Sequence, residues 1–238
     1  MKWTLMRSQV CTLIPAAGKG HRMRHSVKKP YLKLGQKPIL AHTIQRFEQN
    51  SAVDAIFVIV DEADFSECHT TVLDPYPSKK VQALVAGGET RQASVQNGIH
   101  ALSADVDFVI VHDGVRPFVT DEMIFACLTA ADEYGAAVAA VPVKDTIKVA
   151  NKDCFVLETP VREQLWAVQT PQVFRKSLLE EAHQIAQQRQ LTATDDAALV
   201  EQLGFPVKLV HGNYANLKIT TQVDLQIAEA LLENQAFE

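Results

Sequence analysis

The chain has 238 residues, 47% of them hydrophobic, with 23 basic and 28 acidic side chains and a formal net charge of −5. That size and apolar fraction fit a globular protein with a real core, and no apolar run approaches the ~18 to 20 residues of a membrane span. The negative overall sign argues against a duplex-binding surface, which is usually basic over most of a domain.

The charges are unevenly placed. Residues 1–47 carry ten basic and no acidic side chains, whereas the remainder carries 13 basic and 28 acidic ones. Such an asymmetry points to a small anionic ligand held in one place. The run Val10 to Pro15 is too short and proline-broken for a signal peptide. Cys11, Cys68, Cys127 and Cys154 are scattered without a C-x-x-C spacing, so the expected setting is a reduced cytoplasm, with neither nucleic acid nor membrane as partner.

In chain order, Val10 to Ile14, Ala55 to Val60, Val81 to Val85, Asp107 to Val111 and Ala136 to Ala140 read as strands buried on both faces, because they are nearly continuous apolar runs. Helix-period segments lie between them: Ile39 to Gln49, Arg91 to Leu102 and Glu122 to Glu133. The alternation predicts an α/β fold, a doubly wound, mostly parallel sheet of Rossmann-like type, with ligands beyond the carboxyl ends of the strands. Pro142 to Leu165 breaks the rhythm. Two extended segments, Val143 to Ala150 and Phe155 to Thr159, flank the turn-like Asn151-Lys152-Asp153, which predicts a projecting β-hairpin arm packed on a second subunit. A strand near Trp166 to Gln169, helices at Arg175 to Arg189 and Asp195 to Leu203, a strand at Val207 to Val210 and a last helix follow. That last helix places Val223, Ile227, Ala230 and Leu231 on one face. The organisation expected is a single domain over 1–238 with an arm at about 142–165.

Three loops after strands carry the candidate chemistry. The first, Pro15-Ala16-Ala17-Gly18-Lys19-Gly20, is built of small residues that let backbone N–H groups approach a phosphate, with Gly18 and Gly20 free to adopt unusual angles. It is not a dinucleotide fingerprint, which needs glycine where Met23 stands, nor a Walker A loop. Arg22, Arg24, Lys28 and Lys29 follow with no acid nearby, a concentration of cations suited to a triphosphate. The second loop, Gly87-Gly88-Glu89-Thr90-Arg91, leads into a helix with Ser94 one turn in. The third is His112-Asp113-Gly114-Val115-Arg116-Pro117. Here Asp113 suits a ribose hydroxyl or a metal ion and Arg116 a phosphate, unless the two simply pair with each other.

Taken in order with Gln169-Thr170-Pro171-Gln172, Thr194-Asp195 and Asn216-Leu217-Lys218-Ile219-Thr220, these motifs closely resemble the 2-C-methyl-D-erythritol 4-phosphate cytidylyltransferase family over nearly the whole chain. The resemblance implies a nucleotidyltransferase fold and transfer of the cytidylyl group of CTP to methylerythritol phosphate, with Mg²⁺ on the triphosphate. It implies that Arg22 and Lys29 stabilise the transition state. The nucleotide would be held by Pro15, Ala16, Ala17, Gly18, Gly20, Gly87, Gly88, Ser94, Asp113 and Gly114, with Asp113 also the possible metal contact. The sugar phosphate would be held by Arg116, Thr146, Arg162, Thr170, Thr194 and Lys218, with the arm of one subunit completing its neighbour's site in a homodimer. The sequence departs from the family at Lys28-Lys29-Pro30-Tyr31, which leaves Lys28 as a competitor for the lysine role, and at Ala215, where many members carry an acid. Read without the resemblance, Thr170 is an ordinary turn residue before Pro171 and Thr194 a helix N-cap. A ribitol 5-phosphate cytidylyltransferase and a non-catalytic nucleotide-binding module are the alternatives.

Overall fold

The computed structural model describes residues 8–18 and 27–234. Strand β1 (Gln9–Pro15) comes first, followed by a 3₁₀ turn at Lys29–Tyr31, the short antiparallel pair β2 (Lys33–Leu34) and β3 (Lys37–Pro38), and helix α1 (Ile39–Gln49). Next are β4 (Ala55–Val60), α2 (Phe65–Cys68), β5 (Val81–Ala86), α3 (Arg91–His100), β6 (Val106–Val111), α4 (Asp121–Tyr134) and β7 (Ala136–Pro142). The arm pairs β8 (Val149–Ala150) with β9 (Val156–Glu158). After it come β10 (Trp166–Arg175), α5 (Lys176–Arg189), α6 (Asp196–Gln202), β11 (Lys208–His211) and α7 (Gln222–Glu233).

The main sheet has the order β11-β7-β10-β6-β1-β4-β5. All its pairings are parallel except those of β10, which runs antiparallel to both β6 and β7. Side chains of successive strand residues point to opposite faces. Ile14 and Val173 therefore face α1 and α4, among Leu40, Ile44, Phe47, Ile124 and Leu128. Leu13 and Phe174 face α3, α5 and α6, among Val95, Ile99, Leu179, Ala182 and Val200. Helices on both faces of the sheet explain why its strands are continuously apolar. The edge strand β5 departs from the fully buried expectation, with every residue partly or fully exposed. Among the described residues no helix is long and apolar enough to cross a membrane.

Two expectations are corrected. The last helix is amphipathic, but it docks through Leu225 and Ala228, with Leu231 and Leu232 alongside, onto Leu34, Ile39, Phe118 and Ile219. Val223 and Ile227 face outward, 62% and 49% exposed. The strand expected at Trp166 to Gln169 instead runs to Arg175. It continues through a register shift between Val168 and Gln172 that contains the cis Thr170–Pro171 peptide. Gln169, Thr170 and Gln172 are buried there, which gives Thr170 a place in the core that a surface turn would not. The arm is an exposed hairpin with shorter paired segments than the sequence suggested.

This bulge fixes the loop after β6. The Asp113 N–H donates to Thr170 Oγ1 at 3.1 Å, Thr170 Oγ1 lies 3.1 Å from His112 Nδ1, and His112 Nε2 lies 2.9 Å from the Arg116 carbonyl. One proton arrangement satisfies all three contacts: the threonine hydroxyl donates to Nδ1, and a neutral imidazole donates from Nε2 to the carbonyl. Burial pushes His112 down to about 4, only partly offset by its hydrogen bond to Arg116. An unfolded histidine takes up its proton near 6.5 and the folded one near 4, so between these values the unfolded state binds more protons and stability falls as pH falls. His42, also lowered by burial, acts in the same direction. Urea unfolding across this range should show stability declining on acidification, with a flatter slope in His112→Gln; an unchanged slope in that variant would contradict the neutral buried histidine.

Candidate functional site

Loops at the carboxyl ends of β1, β5 and β6 converge through backbone hydrogen bonds. The N–H of Ala16 donates to Ile59 O at 2.7 Å, that of Gly87 to Val60 O at 2.8 Å and that of Gly114 to Pro15 O at 3.1 Å. Gly87 and Gly88 are required by closeness, a Cβ at Gly88 falling 2.6 Å from the Ala93 Cβ, and Gly114 is tightly placed. A Cβ at Gly87 would stand 2.4 Å from the Ala17 Cβ, and one at Gly114 would stand 3.0 Å from the Ala16 Cβ. Gly18 is exposed, and a Cβ there would meet nothing within 4 Å among the described residues. It does not adopt the left-handed angles that the sequence reading allowed it. Ser94 is turned back onto its own loop: its Oγ accepts the Gly88 N–H at 3.0 Å and donates to Thr90 O at 2.8 Å, holding Gly88 in place at the start of α3.

Asp113 is the electrostatic centre of the crevice. It is 6% exposed. Its Oδ2 faces Lys218 Nζ at 2.9 Å and Arg116 Nε at 3.2 Å, and its Oδ1 faces Arg91 Nε at 3.5 Å. Burial alone would raise its pKa, but Lys218, Arg91 and Arg116 outweigh that and hold it well below the usual carboxylate range. Asp113 and Arg116 thus pair with each other, one of the two arrangements open to them from sequence. The sequence alone did not show that Lys218 and Arg91, from distant parts of the chain, join them.

The cluster is braced by buried amides. Asn216, fully buried, donates from Nδ2 to Thr170 O at 2.8 Å and to Gln169 Oε1 at 3.2 Å, while its backbone carbonyl accepts Arg116 Nη1 at 2.8 Å. Lys218 thus follows a segment tied both to β10 and to Arg116. Gln172 Nε2 donates to Asp195 Oδ2 at 2.7 Å, linking β10 to the start of α6. The N-cap of α6 is Asp195, whose side chain accepts the Ala198 N–H; Thr194 precedes it, exposed, and is not the cap.

The remaining candidates are placed as follows. Gly20 and Arg22 lie outside the described residues. Lys29 opens the 3₁₀ turn, half-buried, with Pro30 next. Lys28 is held elsewhere: its Nζ bonds both carboxylate oxygens of Asp64 at 2.6 Å and stands 3.8 Å from Asp61. Thr146 and Arg162 are exposed in the arm. Arg162 Nη1 donates to the Lys144 carbonyl at 3.3 Å, and neither residue is hydrogen-bonded or ion-paired to the Asp113 cluster. Of the sugar-phosphate candidates, the fold therefore brings together Arg116, Thr170 and Lys218.

No group of three or more His, Cys, Asp or Glu side chains able to hold a metal ion occurs among the described residues. The donor set suits a cation that arrives on a ligand's phosphates and takes at most one carboxylate, Asp113, from the protein. Arg91 and Asn216 were assigned no role from sequence, although both sit inside the motifs. Their signal is a polar residue in a segment after an edge strand, which is informative only once its partner is known.

Comparison with known proteins identifies the family. A family model described as 2-C-methyl-D-erythritol 4-phosphate cytidylyltransferase (IspD) matches residues 10–234. The chain is 49% identical over 225 residues to the 2-C-methyl-D-erythritol 4-phosphate cytidylyltransferase of Syntrophotalea carbinolica, covering 94% of this chain and 96% of the relative. The structure of 4-diphosphocytidyl-2C-methyl-D-erythritol synthase from Anaerococcus prevotii superposes with a TM-score of 0.84 at 32% identity, over 95% of this chain and 97% of that one. That of the Thermus thermophilus cytidylyltransferase superposes with a TM-score of 0.78 at 37% identity, over 94% and 99%. With a matching model across almost its whole length, near-full-length relatives and solved structures that superpose over most of both chains, the chain belongs to the 2-C-methyl-D-erythritol 4-phosphate cytidylyltransferase family.

Proposed function

We infer that the chain transfers the cytidylyl group of CTP to 2-C-methyl-D-erythritol 4-phosphate, giving 4-diphosphocytidyl-2-C-methyl-D-erythritol and pyrophosphate, a step of non-mevalonate isoprenoid precursor synthesis. A phosphate oxygen of the sugar phosphate attacks the α-phosphorus of CTP. A new P–O bond forms as the bond to the β-phosphate breaks, and its electron pair leaves with pyrophosphate. The attacking oxygen is already anionic, so no general base is needed; the protein's task is to place two anions together and to stabilise charge around the phosphorus. The observation that carries this reading is the gathering of Arg91, Arg116 and Lys218 around the buried Asp113 at the carboxyl end of β6.

In this reading Arg116 and Lys218 take the sugar phosphate, supported by Thr170 and Thr194. The backbone from Pro15 to Gly20, with Gly87, Gly88, Ser94, Asp113 and Gly114, holds the nucleotide. Arg22 and Lys29 stabilise the transition state. A Mg²⁺ ion brought in by the triphosphate would supply further charge neutralisation, and Asp113 would be the carboxylate open to it. The lysine role goes to Lys29 on the family resemblance, with Lys28, which is bound to Asp64 and near Asp61, as its competitor.

The arm completes the site of a second copy in a homodimer, contributing Thr146 and Arg162. Its exposed Phe155, Leu157 and Val161, at 70%, 66% and 59%, support burial against a partner. The same reading places the enzyme in the cytoplasm, consistent with four free cysteines.

Offering methylerythritol phosphate and ribitol 5-phosphate separately with CTP and Mg²⁺, and measuring pyrophosphate release, tests the assignment. Turnover with methylerythritol phosphate is expected. Preference for ribitol 5-phosphate, or CTP binding without pyrophosphate release from either, would overturn it. In the same assay Lys29→Ala should lower kcat by about a hundred- to a thousand-fold, the scale of losing one transition-state stabiliser, with an unchanged unfolding midpoint. A larger loss in Lys28→Ala would reverse the lysine assignment.

A further inference from the structure

Two ionisable groups buried behind the crevice have no part in the mechanism above. His183, in the middle of α5, is 2% exposed, and Asp196, the first residue of α6, is 1% exposed. His183 Nε2 stands 3.1 Å from Asp196 Oδ1, and Arg91 Nη1 donates to Asp196 Oδ2 at 2.6 Å. Burial alone would raise the pKa of Asp196, but the His183 hydrogen bond and the Arg91 charge hold it below its ordinary value. Both oxygens of a carboxylate removed from water are thereby occupied.

The guanidinium is a rigid planar fork. With Nη1 fixed on Asp196, the direction of Nε is fixed as well, and Nε faces Asp113 Oδ1 at 3.5 Å. The other oxygen of Asp113 holds Arg116 and Lys218. A continuous chain of polar contacts therefore leads from α5 through α6 and the start of α3 to the cations of the crevice.

Docking of α3 against the α5–α6 junction does not require this chain of contacts. The Gln92 side chain already bridges to the Leu191 carbonyl at 3.1 Å and to the Ala193 N–H at 3.3 Å, and Gln96 bonds Gln187 at 3.1 Å. What the His183–Asp196 pair adds is the orientation of Arg91.

We propose that His183 and Asp196 are positioning residues that orient Arg91 and, through it, set the place of the Asp113 carboxylate with Arg116 and Lys218 for the incoming sugar phosphate. The proposal rests on the cytidylyl-transfer reading. His183 acts through a single donor, Nε2–H, since its Nδ1 has no hydrogen-bond partner among the described residues. Glutamine carries a donor at similar reach, whereas leucine carries none.

The test is steady-state pyrophosphate release by the purified full chain with CTP, Mg²⁺ and methylerythritol phosphate, each substrate varied in turn, for the parent, His183→Leu and His183→Gln. The expected result is a rise in KM for the sugar phosphate of about tenfold in His183→Leu, the scale of one lost buried hydrogen bond to a charged group. KM for CTP should move less than twofold, and His183→Gln should restore most of the loss. Should His183→Leu not fold, His183→Asn, whose amide is too short to reach Asp196, takes its place with the same expectation. Equal kinetics in the leucine and glutamine variants, or a fall in kcat that tracks the folded fraction with both KM values unchanged, would overturn the proposal alone. Absence of pyrophosphate release by the parent would overturn the functional reading and this inference with it.

Discussion

A carboxylate removed from water stays ionised only where positive charge meets it, and Asp113 is met from three directions. Arg91 comes from the start of α3, Arg116 from its own loop and Lys218 from the segment before α7. These segments are far apart in sequence, so their convergence needs the whole sheet to be in place. The reverse dependence holds as well, because removing Asp113 would leave three cations crowded at one strand end, two of them largely buried. Breaking such an arrangement by deleting one partner costs more than forming it gains. The same charge balance leaves cations at the mouth of the crevice, with Lys218 40% exposed and Arg116 only 12%. A phosphate entering there finds donors already oriented.

The reversed strand β10 makes that convergence possible. A fully parallel sheet would bring only loops that follow strands to this end. Running the other way between β6 and β7, β10 delivers the residues of a bulge in its middle, Gln169 to Gln172, to the level where β6 ends. Each polar group there finds a partner: Thr170 with Asp113 and His112, Gln169 with Asn216 and the Asn213 carbonyl, and Gln172 with Asp195. Gln169 and Gln172 are each satisfied at both ends of the amide, which rigidifies the bulge, whereas Asn216 uses its Nδ2 and leaves Oδ1 without a partner among the described residues.

Much of this was legible in the sequence, for identifiable reasons. Strands covered on both faces must be apolar throughout, so β1, β4, β6 and β7 announce themselves, and the loops after them follow from the topology. The rest depended on partners that no local pattern reveals. Gln169-Thr170-Pro171-Gln172 reads as a turn because proline and polar residues usually end a strand; here distant groups satisfy them. The last helix carries two apolar stripes, and only the position of Phe118 and Leu34 decides that Leu225 and Ala228 face inward. The cation-rich first 47 residues pointed to an anion, yet part of that charge serves the fold: Lys28 is bound to Asp64, and Arg46 donates to the Val119 carbonyl at 2.7 Å. Arg91 stood in a recognised motif, but its meaning lay in Asp113 and Asp196.

The central claim is that Asp113 fixes the cations that receive the sugar phosphate. A double-mutant cycle on kcat/KM for the sugar phosphate, using Asp113→Asn, Lys218→Met and the pair, tests it most directly. If the carboxylate positions the lysine, losing Lys218 costs much less once Asp113 is gone, and the two losses fall short of additivity by about tenfold, within the range seen for contacting charged residues. Fully additive losses would contradict the account.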